Sequence, residues 1–274
     1  YVSIKSVLDY VKYTESCELL LKDAKIIYEE RMSDDFNEIC NTLLGIKLTY
    51  VNDPVSALKL VFSQINKHVM CSKAAEFGHL ACLRYAYENG GLWNKFICWY
   101  AAKNGHLTCL KYARENGCEW DNYTCMDAAG GGHLACLEYA RENGCPWNRS
   151  TCENAARYGH LDCLKYAHEN NCSWDYETCS IAATNGHLDC LKYAYEHGCE
   201  WNKKTCWKAA CNGHLDCLKY ACENGCEWDS WTCSNAAYNG HLDCLKYARE
   251  NGCPWDWETC CDAASNGRLD CLQY

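Results

Sequence analysis

Residues 205–231 read TCWKAACNGHLDCLKYACENGCEWDSW, and the same register returns every 27 residues from about Cys71 to the end of the 274-residue chain without insertion or deletion. The glycine before the histidine marks the beat at Gly78, Gly105, Gly132, Gly159, Gly186, Gly213, Gly240 and Gly267. Trp93, Trp120, Trp147, Trp174, Trp201, Trp228 and Trp255 keep the same step. Self-similarity at this period predicts a solenoid, in which each unit buries its apolar face only against its neighbours.

Within one unit, Leu134, Cys136, Leu137, Tyr139 and Ala140 fall at helical spacing, and Gly144 supplies the left-handed residue that ends a helix. Asp162, Asp189, Asp216 and Asp243 enter the first turn of the equivalent helices, where the helix dipole favours an anion. A second helix precedes this one. Thr124, Thr151, Thr178, Thr205, Thr232 and Thr259 are expected as its N-caps, and paired alanines such as Ala128 and Ala129 let neighbouring helices approach closely. The unit therefore reads as helix, Gly-His turn, helix and a short Trp-containing loop, and the chain as all-α. Helices this short are marginal alone, so stacking must supply the stability. Burying a tryptophan removes roughly 150–250 Å² from water. Trp147, Trp174, Trp201 and Trp228 are accordingly expected to form a buried hydrophobic spine.

The formal charge of −10 and the interleaving of lysines with Asp and Glu leave no cationic stripe, which argues against a nucleic-acid partner. No apolar run approaches the roughly 18 residues that span a bilayer, so no membrane partner is expected. The 27 cysteines are odd in number, no basic-plus-apolar leader is seen, and most of them obey the repeat. Reduced thiols in a cytosol-like compartment fit better than a disulfide framework. The sequence begins at Tyr1, without an initiating Met, and stops at Tyr274 inside a unit, as a fragment would.

The string Ala155-Ala156, Gly159-His160-Leu161 and Leu164-Lys165 resembles the ankyrin repeat residue by residue, although the usual unit of that family has about 33 residues. The family's Thr-Pro-Leu-His segment falls on Ser150-Thr151-Cys152-Glu153, where the match fails. The missing residues lie between Asn-Gly and the next helix, so the resemblance implies an ankyrin-like helix-turn-helix solenoid with little or no β-hairpin. The form with Cys-Pro-Trp and Thr-Cys looks like the short repeats abundant in proteins of large DNA viruses of amoebae and in some protists. That likeness implies a host-cytoplasmic or virion setting.

In this alignment Cys152, Cys163 and Cys172 take small buried apolar positions, which free cysteine fills well. Zinc is the sharper alternative, but cysteines 11, 9 and 7 residues apart lack the paired spacing of a structural site, so no metal is expected. His133, His160, His187, His214 and His241 stand at the start of the second helix, where the ankyrin resemblance implies a hydrogen bond between adjacent units. Arg268 replaces the histidine in the last unit, which opposes a catalytic base repeated at every position. No Gly-rich phosphate loop or Ser-based nucleophile elbow is present, and no enzyme, cofactor or small-molecule substrate is expected.

Information about a partner should reside where the units differ. Arg157, Tyr158, Tyr176, Trp207, Trp231, Tyr238 and Trp257 occupy those variable positions, and the resemblance places them on the concave side of the array. Tyr, Trp and Arg dominate interface energetics. The expected function is a non-enzymatic scaffold that binds a protein partner. The alternatives are a structural component of a large assembly such as a virion, with neighbours in that assembly as partners, and a substrate-recruiting adaptor of a ubiquitin ligase. Residues 70–274 form the array of about eight units, the last incomplete. Residues 1–69 lack the signature and read as a helical capping region or degenerate repeats, with starts at Ser33-Asp34-Asp35 and Asp53-Pro54.

Overall fold

The computed structural model describes residues 71–274. The expected cap over residues 1–69 lies outside them. The described residues divide into two compact units, residues 71–101 with 108–119, and residues 102–107 with 120–274.

Among the described residues all regular structure is helical. Residues 71–76 are helical, and the first unit then holds α1 (Leu80–Glu88), most of α2 (Lys95–Lys103) and α3 (Leu107–Glu115). The second unit holds α4 (Asn122–Gly130), α5 (Leu134–Glu142), α6 (Arg149–Tyr158), α7 (Leu161–Glu169), α8 (Tyr176–Thr184) and α9 (Leu188–Glu196). It continues through α10 (Lys203–Cys211), α11 (Leu215–Glu223), α12 (Ser230–Asn239), α13 (Leu242–Glu250), α14 (Trp257–Ser265) and α15 (Leu269–Gln273). No strand is present among the described residues. The loop after each second helix is too short to project a hairpin finger.

The even-numbered helices of the second unit pack side by side in chain order, more closely than the odd-numbered helices do. Their sequence explains why. Along α10 the exposed pair Lys203-Lys204 gives way to buried Thr205-Cys206, then half-buried Trp207-Lys208, then buried Ala209-Ala210. Pairs alternating at about half a helical turn put threonine, cysteine and the two alanines on the core face and leave the other face variable. Alanine lets the backbones approach, and the second helices add a fully buried leucine each: Leu137, Leu164, Leu191, Leu218 and Leu245.

Two expectations are corrected. The threonines do not cap the first helices. Asp121, Asn148, Asp175, Asn202 and Asp256 do, each side chain accepting from the backbone N–H two residues on. Their extended backbone just before the helix aims the short side-chain oxygen at the first unpaired N–H groups. Thr124, Thr151, Thr178, Thr205 and Thr232 sit one turn further in, fully buried. The tryptophans, in turn, are half-buried rather than interior, because the loop that carries them lies at the surface.

Candidate interaction surface

The periodic polar residues join successive repeats. His187 Nε2 lies 3.0 Å from the carbonyl oxygen of Arg157, the last turn of α6. His133 and His214 make the equivalent bonds to the backbone of Lys103 and Thr184. The imidazole lies flat against the glycine of the preceding turn. A Cβ on Gly159, whose φ is 75°, would stand 2.5 Å from Nδ1 of His187, and Gly132 and Gly186 make the same contact with His160 and His214. His241 covers Gly213 in the same way. Glycine is thus required twice at this turn, for its left-handed backbone and for the close approach of the ring. Burial lowers the proton affinity of His133 and His214 below the ordinary histidine range.

Each loop tryptophan meets the tyrosine of the following second helix edge-on. Trp147 and Tyr166, Trp174 and Tyr193, and Trp201 and Tyr220 have ring centroids 6.1–6.2 Å apart, and Trp228 and Tyr247 6.4 Å. The other face of the indole takes the residue six positions earlier. Tyr195 stacks on Trp201 at 3.6 Å and His168 on Trp174 at 3.9 Å, while the Arg141 and Arg249 guanidinium groups lie over Trp147 and Trp255 at 4.5 and 4.3 Å. Sequence reading missed this last position, since it varies in type. The available signal is that it offers a flat or cationic side chain in most units, six residues before Trp. His168 also places Nδ1 3.1 Å from the Tyr193 hydroxyl, and burial, with His197 nearby, lowers its proton affinity.

The cysteines are more than small apolar fillers. Cys136, Cys190 and Cys244, inside the second helices, have thiols pushed up to about 11 by burial, chiefly, and Cys163 and Cys217 to about 12. Burial holds them in the thiol form at neutral pH. The loop cysteine instead donates to the carbonyl of the cap residue in the preceding loop: Cys172 to Asn148 at 3.2 Å, Cys199 to Asp175 at 3.0 Å and Cys226 to Asn202 at 3.3 Å. These thiol rungs tie loop to loop where a hairpin is lacking. No group of three or more His, Cys, Asp or Glu among the described residues could hold a metal ion.

Against this periodic frame stand the variable residues. Trp257 is 74% exposed, Trp231 64%, Tyr158 57%, Tyr238 48% and Tyr176 37%. Arg157 is exposed as well. Trp207 is only half-buried, with Lys208 Nζ 4.6 Å from its ring. The Tyr158 ring lies over Gly130 of the previous repeat, and Lys204 Nζ lies 5.4 Å from the Tyr176 ring and 3.5 Å from Glu177. Tyr123, 54% exposed at the position Trp231 takes two units short of the last, belongs to the same class and was not anticipated. All of these residues lie on the first helices or the loops leading into them.

Residues 152–230 match the family model described as ankyrin repeats, in three copies. No curated protein matches the chain. The crystal structure of the human ASB11 ankyrin repeat domain is similar at a TM-score of 0.52 and 22% sequence identity, covering 57% of this chain and 84% of that chain. At that identity the likeness is one of fold. Residues 152–230 carry ankyrin repeats, and the helical repeat fold of the described residues is of the ankyrin type. Ankyrin repeats generally mediate protein–protein interaction. Among the described residues, no helix is long and apolar enough to cross a membrane.

Proposed function

We propose that the chain is a non-catalytic scaffold whose first-helix side, the concave side in ankyrin-type arrays, seats a protein partner. The observation that carries this reading is the contrast between two sets of aromatics. The periodic tryptophans are half covered by stacked neighbours, whereas Trp231 and Trp257 leave most of their surface in water at positions the fold does not need. Exposed Trp and Tyr beside Arg and Lys on a rigid scaffold have the composition of interface anchors. Arg157, Tyr158, Tyr176, Trp207, Trp231, Tyr238 and Trp257 are the contact residues. Trp207 acts mainly as the floor of the site, since half of it is already covered.

The test is affinity purification from the native source with the wild-type chain and with the Trp231→Ala plus Trp257→Ala variant, read by quantitative mass spectrometry. A partner retained by the wild type and lost at least tenfold from an equally stable variant supports the scaffold reading. Identical recovery of every bound protein by the two chains overturns this surface. Recovery of the chain only in particles at fixed stoichiometry, indifferent to the variant, would instead establish an assembly component.

A further inference from the structure

In six successive units, from Cys98 onward, the cysteine of the first helix lies beside the cysteine of the loop after the second helix; in the unit before them Gly91 takes the loop position opposite Cys71. Cys98 Sγ is 3.9 Å from the carbonyl oxygen of Cys118, Cys179 Sγ 3.8 Å from that of Cys199, and Cys206 Sγ 3.8 Å from that of Cys226. The sulfurs themselves are in hydrogen-bonding contact in the pairs Cys125–Cys145, Cys152–Cys172, Cys179–Cys199, Cys206–Cys226 and Cys233–Cys253. Packing would be satisfied by alanine or valine at either place. Two thiols in contact, in register from unit to unit, call for more than packing.

We propose that these six pairs, Cys98–Cys118 through Cys233–Cys253, are oxidation sites at which hydrogen peroxide or an organic hydroperoxide closes a disulfide inside each unit. From Cys152–Cys172 onward the loop thiol, the more exposed of each pair, reacts first. Cys172, Cys226 and Cys253 are 4–5% exposed, while their partners Cys152, Cys206 and Cys233 are fully buried. The loop sulfur attacks the outer peroxide oxygen, the O–O bond breaks, and the sulfenic acid forms with release of water or an alcohol. The first-helix sulfur then attacks that sulfenic sulfur. The S–S bond forms, the S–O bond breaks, and water leaves with the thiol proton. Each pair loses two electrons and two hydrogens to the peroxide.

The electrostatics of three of these pairs agree with this order. The hydrogen bond from the first-helix thiol holds Cys172, Cys199 and Cys226 below their usual range, while the same bond and burial push Cys152, Cys179 and Cys206 up. In Cys233–Cys253 the direction is reversed.

Oxidation has a structural consequence beyond a cross-link. The hydrogen removed from Cys172 is the one donated to Asn148 of the preceding loop. A bond between repeats is exchanged for a link across 20 residues within one repeat, as in the Cys206–Cys226 pair. Loop closure stabilises each unit, whereas losing the rung loosens its coupling to the neighbour. The array then unfolds in smaller steps.

The experiment treats the folded, reduced full chain with hydrogen peroxide, alkylates the remaining thiols after denaturation, and maps linked peptides without reduction. Expected are the six in-register links, each a loss of two hydrogens, a broader unfolding transition and reversal by dithiothreitol. In Cys172→Ser the hydroxyl keeps the rung and only the Cys152 link disappears; Cys226→Ser with Cys206 provides the same comparison in a second unit. The proposal is overturned if the native chain keeps these thiols alkylatable while the denatured chain oxidises. It is equally overturned if links form off register, as between Cys152 and Cys163.

Discussion

Arg268 donates from Nε to the carbonyl oxygen of Tyr238 at 3.2 Å. In the preceding units a histidine makes this bond to the carbonyl 30 residues earlier, as His187 does to Arg157, and the Arg268 side chain covers Gly240 as the imidazole covers Gly159. What the position needs is a flat, donor-bearing side chain, and imidazole chemistry is incidental. His187→Arg should therefore cost under about 1 kcal/mol, while His187→Ala, losing the bond and the cover of Gly159, should cost about 1–3 kcal/mol. Urea unfolding of the two variants checks this, and equal losses would show that the hydrogen bond contributes nothing.

Caps and buried threonines give opposite expectations at neighbouring positions. Asn148 accepts from the Ser150 N–H at 3.0 Å, so Asn148→Ala should destabilise by about 0.5–2 kcal/mol. Thr178 and Thr205 bury hydroxyls without a hydrogen-bond partner. Thr205→Val, equal in shape, should be neutral or stabilising by about 1 kcal/mol. Thermal melting decides it; a large loss in Thr205→Val would reveal a hidden partner for the hydroxyl.

The fold was legible in the sequence because the 27-residue beat carries it redundantly, and the absence of a β-hairpin among the described residues followed from the shortened loop between Asn-Gly and the next helix. Cap identity was misread for a local reason. Thr151 and Asn148 are both capping residue types three positions apart, and only the backbone shows that the helix begins at the earlier one. The half-exposure of the tryptophans was equally invisible, since periodicity reports that a residue is structural without saying how deep it lies. Among the variable residues, sequence separated Trp231 and Trp257 from the frame but could not tell that Trp207, of the same type, is half covered.

The half-buried histidines set a pH dependence with a definite sign. His133, His168 and His214 all have folded-state affinities below the ordinary value of 6.5, with burial the first cause in each. The unfolded chain therefore binds more protons than the folded one as pH falls through the mid-6 range. Their stability contribution is present in full above that value and is lost as pH drops below it. Urea midpoints should fall between about pH 7.5 and pH 5.5. A combined His133→Gln, His168→Gln and His214→Gln variant should show a flatter profile over that window, and an unchanged slope would assign the dependence to other groups.

The aromatic ladder separates stacking from simple burial, because its rungs are unequal. Trp201 is sandwiched between Tyr195, at 3.6 Å with ring planes 8° apart, and the edge of Tyr220 at 6.1 Å. Trp228 has the equivalent edge contact with Tyr247 at 6.4 Å, but Cys222 stands where Tyr195 does. Both tryptophans are half-buried in loops of the same length. If apolar area alone stabilised the ladder, alanine at either position would cost about the same. Aromatic pairs contribute about 0.5–1.5 kcal/mol beyond area, so Trp201→Ala should exceed Trp228→Ala by that margin. A Trp201 and Tyr195 double-mutant cycle should return a coupling of similar size. Equal single losses with a coupling near zero would mean that the Tyr195 ring covers the indole without binding it.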